Sequence, residues 1–184
     1  GQTPAMARHR LRDSQAQVLK YCTDLVALDL GHNEFSDISF LENLTKLQIL
    51  ILVDNHISDI SVLENLKDLV YVELFLNRIE DVSALGTIEG LLDLNICYNN
   101  IKDPTPLYNC KKLERLWISA NRIDPDQWPE IAEALPNCKC IFKLWSSTKG
   151  GWREHERYFW MHSFFYPEKY PELVAPTATP VPMG

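Results

Sequence analysis

The chain has 184 residues, 46% of them hydrophobic, with 18 basic side chains against 25 acidic ones and a formal net charge of −7. That length and apolar content support one core-bearing domain with or without a tail, and the acidic balance excludes the positive field of a general nucleic-acid binder. No run of eighteen apolar residues occurs, which excludes a membrane-spanning helix, and five cysteines at uneven spacing do not make a disulfide framework.

Residues 1–24 read as an N-terminal helical cap or the remnant of an earlier repeat. Leu11, Val18 and Leu19 suit one face of an amphipathic helix, with Asp13, Gln15 and Lys20 outward. The start at Gly1 is read as a cleavage scar or as the beginning of a fragment. Unpaired thiols and the lack of a signal segment favour the cytoplasm, with the cell surface open if the chain is a fragment.

From Leu25 onward the sequence repeats every 22 residues: Leu25, Leu47, Leu69, Leu91 and Leu113 share one column. Further columns follow as Leu28/Leu50/Val72/Leu94/Leu116 and Leu30/Leu52/Leu74/Ile96/Ile118. An unbroken asparagine column comes next: Asn33, Asn55, Asn77, Asn99 and Asn121. Asp37, Asp59, Asp81 and Asp103 then precede the closing apolar pair of each unit. Within a unit, Leu50 and Leu52 alternate with Ile49 and Ile51, which predicts a short strand. A single unit cannot bury its apolar set, so stacked units must share a core. An amide both donates and accepts, so the asparagines are read as a structural row satisfying backbone groups at each strand end. The aspartates are read as turn and cap acceptors.

The unit LxxLxLxxNxIxDISxLxxLxx resembles the 22-residue leucine-rich repeat of internalins and of a protein phosphatase 1 regulatory subunit, and the segment LQILILVDNHISDISVLENLKD is nearly a consensus copy. The resemblance implies an α/β solenoid: a right-handed curved array with a concave parallel β-sheet and an irregular or short-helical convex side. It also implies binding of a protein or peptide rather than catalysis.

The solenoid is expected over 25–145, with units starting at 25, 47, 69 and 91, a longer one at 113, and a sixth strand near 140–145. In that last unit a helix is expected from Pro129 to Leu135, and Phe142 and Leu144 are expected to point inward. Strand alternation then sets the concave columns. The central one reads Asp29, Ile51, Glu73, Asn95, Trp117 and Lys143, flanked by Ala27, Ile49, Tyr71, Asp93, Arg115 and Ile141. The binding candidates are Ile49, Ile51, Val53, Tyr71, Glu73, Phe75, Leu76, Asn95, Tyr98, Arg115, Trp117 and Trp145. Large apolar side chains outside the leucine core mark an interaction surface. Three occupants compete: a separate protein or peptide, which is preferred; the chain's own aromatic tail or a second copy; and solvent.

Residues 146–184 form an aromatic C-terminal extension. Gly150 and Gly151 interrupt the chain, 153–166 suits a helix apolar nearly all round, and the stretch from Val174 reads as disordered. Self-association through this segment is one expectation. Docking on a neighbouring domain, as a structural or regulatory module of a larger protein, is the alternative to recognition. No metal-ligand, phosphate-loop, nucleophile or dinucleotide pattern is found, so no catalytic residue, cofactor or metal ligand is nominated.

Overall fold

The computed structural model describes residues 11–144 and 146–173. Six three-residue strands form one parallel sheet in sequence order. They are β1 (Ala27–Asp29), β2 (Ile49–Ile51), β3 (Tyr71–Glu73), β4 (Asp93–Asn95), β5 (Arg115–Trp117) and β6 (Lys139–Ile141). From β1 to β5 each strand pairs with the residue 22 positions on, so Ala27, Ile49, Tyr71, Asp93 and Arg115 stand side by side. The middle residues Leu28, Leu50, Val72, Leu94 and Leu116 point the other way and are fully buried in the leucine core. Each unit returns through a short 3-10 turn, Ser39–Asn43, Ser61–Asn65, Leu85–Thr87 and Thr105–Asn109, which supplies the opposite side of that core.

Polar columns hold the units together. The Asn77 carboxamide accepts from the Ile57 N–H at 3.0 Å and donates to the carbonyls of Leu52 at 2.9 Å and Leu74 at 3.1 Å. Asn55, Asn99 and Asn121 repeat the pattern, each reaching the carbonyl that ends the preceding strand. The aspartates act locally: Asp59 accepts from the Ser61 N–H at 2.9 Å and Asp81 from the Ser83 N–H at 2.8 Å. Between strand and asparagine lies a left-handed residue in every unit: His32, Asp54, Leu76, Tyr98 and Ala120, with φ from 52° to 60°. None is glycine, so each carries a conformational cost of about 1–2 kcal/mol. The ladder holds them there, since the N–H groups of His32, Asp54, Leu76 and Tyr98 each donate to a carbonyl of the next unit.

The N-terminal segment differs from the expected helix. Only Asp13–Ala16 is α-helical (α1), and Gln17–Tyr21 is a 3-10 turn placed like the convex turns that follow. Its Cys22 N–H bonds the Leu19 carbonyl at 2.9 Å, as Leu44 bonds Leu41 at 2.9 Å one unit later. The change of pitch turns Val18 outward, 64% exposed, while Ala16 and Leu19 are buried.

At the other end, a helix at Trp128–Ala134 (α2) lengthens the fifth unit by two residues, so that Lys139 stands beside Arg115 and Ile141 beside Trp117. The expected placement of Lys143 in the central column and Ile141 in the flanking one is therefore corrected by two residues. Phe142 does enter the leucine core, stacked on Trp128 with ring centroids 5.6 Å apart. Leu144 instead packs on the concave side.

Candidate functional site

The apolar residues of the concave face form a second cluster, separate from the leucine core and sealed by the C-terminal segment. That segment begins beside β5, where the Trp117 indole N–H donates to the Lys149 carbonyl at 2.7 Å and the Asn95 amide to the Ser147 carbonyl at 2.7 Å. It reverses at Gly150 and Gly151, with φ of 78° and 95°. A Cβ on Gly150 would make only ordinary contacts, 3.4 Å from Leu144 and 3.6 Å from the Trp117 indole nitrogen, so it is the left-handed backbone that favours glycine at this turn. The helix α3 (Glu156–Phe165) then crosses the sheet. Arg157, Met161 and Ser163 are buried and Tyr158, Trp160, Phe164 and Phe165 are partly buried against the concave cluster, while Glu156 is exposed and Phe159 is 36% exposed. The expectation that this helix is covered all round is corrected.

Trp152 is the centre of the seal. It is fully buried, with ring centroids 5.5 Å from Tyr71 and 5.1 Å from Trp117, and Arg115 lies over it at 4.2 Å. Its indole N–H donates to Glu73 at 2.6 Å, and the Tyr71 hydroxyl donates to the same carboxylate oxygen at 2.8 Å. Beside it, Asp93 receives Arg115 Nε at 2.6 Å and Arg157 Nε at 2.5 Å. All three groups are nearly or wholly excluded from water, and Arg157 reaches Glu114 at 2.6 Å as well. Burial works against the Arg157 charge, but the hydrogen bonds and charges of Asp93 and Glu114 together outweigh it and raise its pKa.

These contacts place the sequence candidates. Ile49, Tyr71, Asn95, Arg115 and Trp117 face the concave side and are buried under the chain's own segment. Ile51, Val53, Glu73 and Phe75 are also buried but border the opening that the segment leaves. Leu76 is 41% exposed and Tyr98 half-buried, while Trp145 lies outside the described residues. The opening is a cleft of about 450 Å³ between β1–β3 and α3. Besides those four residues it is lined by Asp29, His32, Phe165, Met161, Tyr158, His162 and Arg153.

Sequence reasoning did not nominate Asp29, Asp93, Trp152 or Arg157. A signal existed in Asp93 and Arg115, neighbours of opposite charge in one concave column, and in Arg157, a cation inside an aromatic stretch. Nothing in the repeat period could join them. The electrostatics of the cleft follow from burial. Desolvation raises the pKa of Asp29 against the opposing Gly31 N–H bond. Desolvation also raises Glu73, helped by the charge of Asp29 and opposed by the bonds from Trp152 and Tyr71. His162 on the opposite wall is lowered, first by burial and then by Lys169 and Arg153.

With this geometry in hand, likeness to known proteins can be stated. A family profile described as "Leucine Rich repeats (2 copies)" matches residues 23–65 and 45–87. An internalin (inlF) from Listeria monocytogenes shares the fold at a TM-score of 0.56 and 27% identity, over 74% of this chain. The fold is a leucine-rich repeat solenoid, and residues 23–87 carry the family's sequence pattern. Internalin C2 of the same species is similar at a TM-score of 0.55 and 24% identity, over 80% of this chain and 76% of its own. A plant peptide hormone receptor (RGFR1), in complex with RGF2, is similar at 0.50 and 23% identity, over 57% of this chain and 18% of its own. The repeat protein spans 45% of the length of the inlF internalin. No curated protein sequence matches it.

Proposed function

We propose that this leucine-rich repeat protein is a non-catalytic scaffold that recognises a protein or peptide on its concave face. The site is the part of that face left open by its own C-terminal segment. The observation that carries this reading is the cleft over β1–β3, with Ile51, Val53 and Phe75 as its apolar floor and Met161 and Phe165 on the opposite wall. A concave site of a few hundred Å³ that combines an apolar floor with convergent polar groups suits a recognised side chain or short segment. Leu76, next in the chain to the cleft residue Phe75, is 41% exposed and adds apolar surface there. Burial of Tyr71 and Trp117 by Trp152 removes them from first contact, so the preferred outside ligand of the sequence reading is moved toward the N-terminal strands. The fold shared with a receptor captured with a peptide accords with recognition. Docking of the C-terminal segment on a neighbour is less favoured, because its buried face is spent on its own sheet.

Selection from a displayed random-peptide library tests the reading. Binders should lose at least tenfold in affinity on Leu76→Asp or His32→Glu and be indifferent to Lys102→Glu on the convex side. An absence of binders, or binders insensitive to both rim substitutions, refutes it.

A further inference from the structure

We infer that the cleft is a subsite for a cationic side chain, an arginine or lysine on its apolar stem, presented by the recognised protein or peptide. The inference rests on the recognition reading above and specifies its chemistry. Asp29 and Glu73 occupy the same sheet column on either side of Ile51, about 9–10 Å apart along the sheet. Both line the cleft.

Glu73 is only 6% exposed, and both of its hydrogen bonds, from Tyr71 and Trp152, fall on Oε1. Its second oxygen has no donor among the described residues. Asp29 likewise receives one bond, from the Gly31 N–H at 2.9 Å to Oδ1. A buried carboxylate without its full set of donors is costly and calls for a charged partner. Among the described residues none lies within ion-pair distance, although the charge of Arg153 reaches Glu73 across the cleft. Arg153 sits exposed at the rim and makes no ion pair with either carboxylate among the described residues. His32 is engaged with Asp54 at 2.9 Å. The floor is therefore acidic at both ends and apolar between them at Ile51, a shape that suits a methylene stem ending in a guanidinium or ammonium. The overall charge of −7 draws such partners in the same direction.

The experiment uses n-butylguanidinium and its neutral isostere n-butylurea as probes, read by amide chemical shifts of the whole chain. The guanidinium should shift residues 29–32, 51–54 and 73–76 saturably, with at least fivefold weaker affinity for the urea. Asp29→Asn keeps an acceptor for the Gly31 N–H and removes the charge, and it should cut guanidinium affinity at least fivefold without altering shifts in the convex turns. Equal response to both probes, or no saturable shift with either, overturns the inference. Library peptides that bind at the rim yet lack a cation and tolerate Asp29→Asn also overturn it, while leaving the recognition reading intact.

Discussion

Removing the anion at the centre of the concave seal should cost more than removing either cation. Asp93 is fully buried and carries two guanidinium groups, those of Arg115 and Arg157, which are 4% and 2% exposed. Asp93→Asn leaves both cations in a site without water, and only Arg157 keeps a carboxylate, that of the half-exposed Glu114. Breaking a buried pair from one side costs about 3–5 kcal/mol. Arg157→Met differs in kind. It removes the hydrogen bonds of one charged group but leaves Asp93 and Arg115 as a matched pair, so about 1.5–3 kcal/mol is expected. In the double variant the remaining buried cation is Arg115 alone, so Asp93→Asn should cost less in that background than in the wild type. Urea unfolding followed by far-UV circular dichroism measures all four corners of the cycle. The reasoning is refuted if Asp93→Asn costs under about 1 kcal/mol, or if Arg157→Met costs more than Asp93→Asn.

Four further outcomes are expected. Asn77→Ala strands the Ile57 N–H in the core and takes one donor from the Leu52 and Leu74 carbonyls, which keep Asn55 and Asn99, and at about 1–3 kcal/mol for the stranded group it should lower the unfolding midpoint; a midpoint equal to wild type would contradict the ladder. Ala120→Gly, at an exposed position with φ of 55°, should stabilise by about 0.5–1 kcal/mol, and a loss in thermal unfolding would count against left-handed strain there. His155 caps α3 by accepting from the Arg157 N–H, and burial followed by nearby arginines lowers its pKa below 6.5. The unfolded chain then binds more protons between that lowered value and 6.5, so the His155 contribution to stability is present above pH 6.5 and lost as pH falls through the lowered value. His155→Asn should flatten that part of the pH profile, and an unchanged profile would remove His155 as its source. Finally, the purified chain should show no turnover; activity that survives repurification and vanishes with one point substitution would end the non-catalytic reading.

The solenoid was legible because every turn carries its own instructions. Leu50, Leu52 and Asn55 specify strand, core face and strand end within six residues, and the next unit repeats them. The sixth strand was misplaced because α2 adds two residues, and a shift of two leaves the side-chain alternation of 139–144 unchanged, so alternation alone fits either alignment. The left-handed column was invisible in sequence, since His, Asp, Leu, Tyr and Ala share no chemistry that favours positive φ; the ladder imposes it. Concave orientation of Tyr71 and Trp117 followed from strand alternation, but their cover did not. Trp152 meets Glu73 across 79 residues and Arg157 meets Asp93 across 64, and neither separation is a multiple of the repeat. An aromatic segment can be read from composition, whereas its docking site depends on where a turn at Gly150–Gly151 sends it.

The most direct test of the account is a hydrogen-exchange footprint of the whole chain with a library-selected peptide bound. Amides at 29–32, 51–54 and 73–76 should gain protection while residues 146–165 stay as protected as in the free protein. A footprint on 95–119 accompanied by rapid exchange in 146–165 would show the ligand displacing the C-terminal segment from the sheet, and would contradict the account.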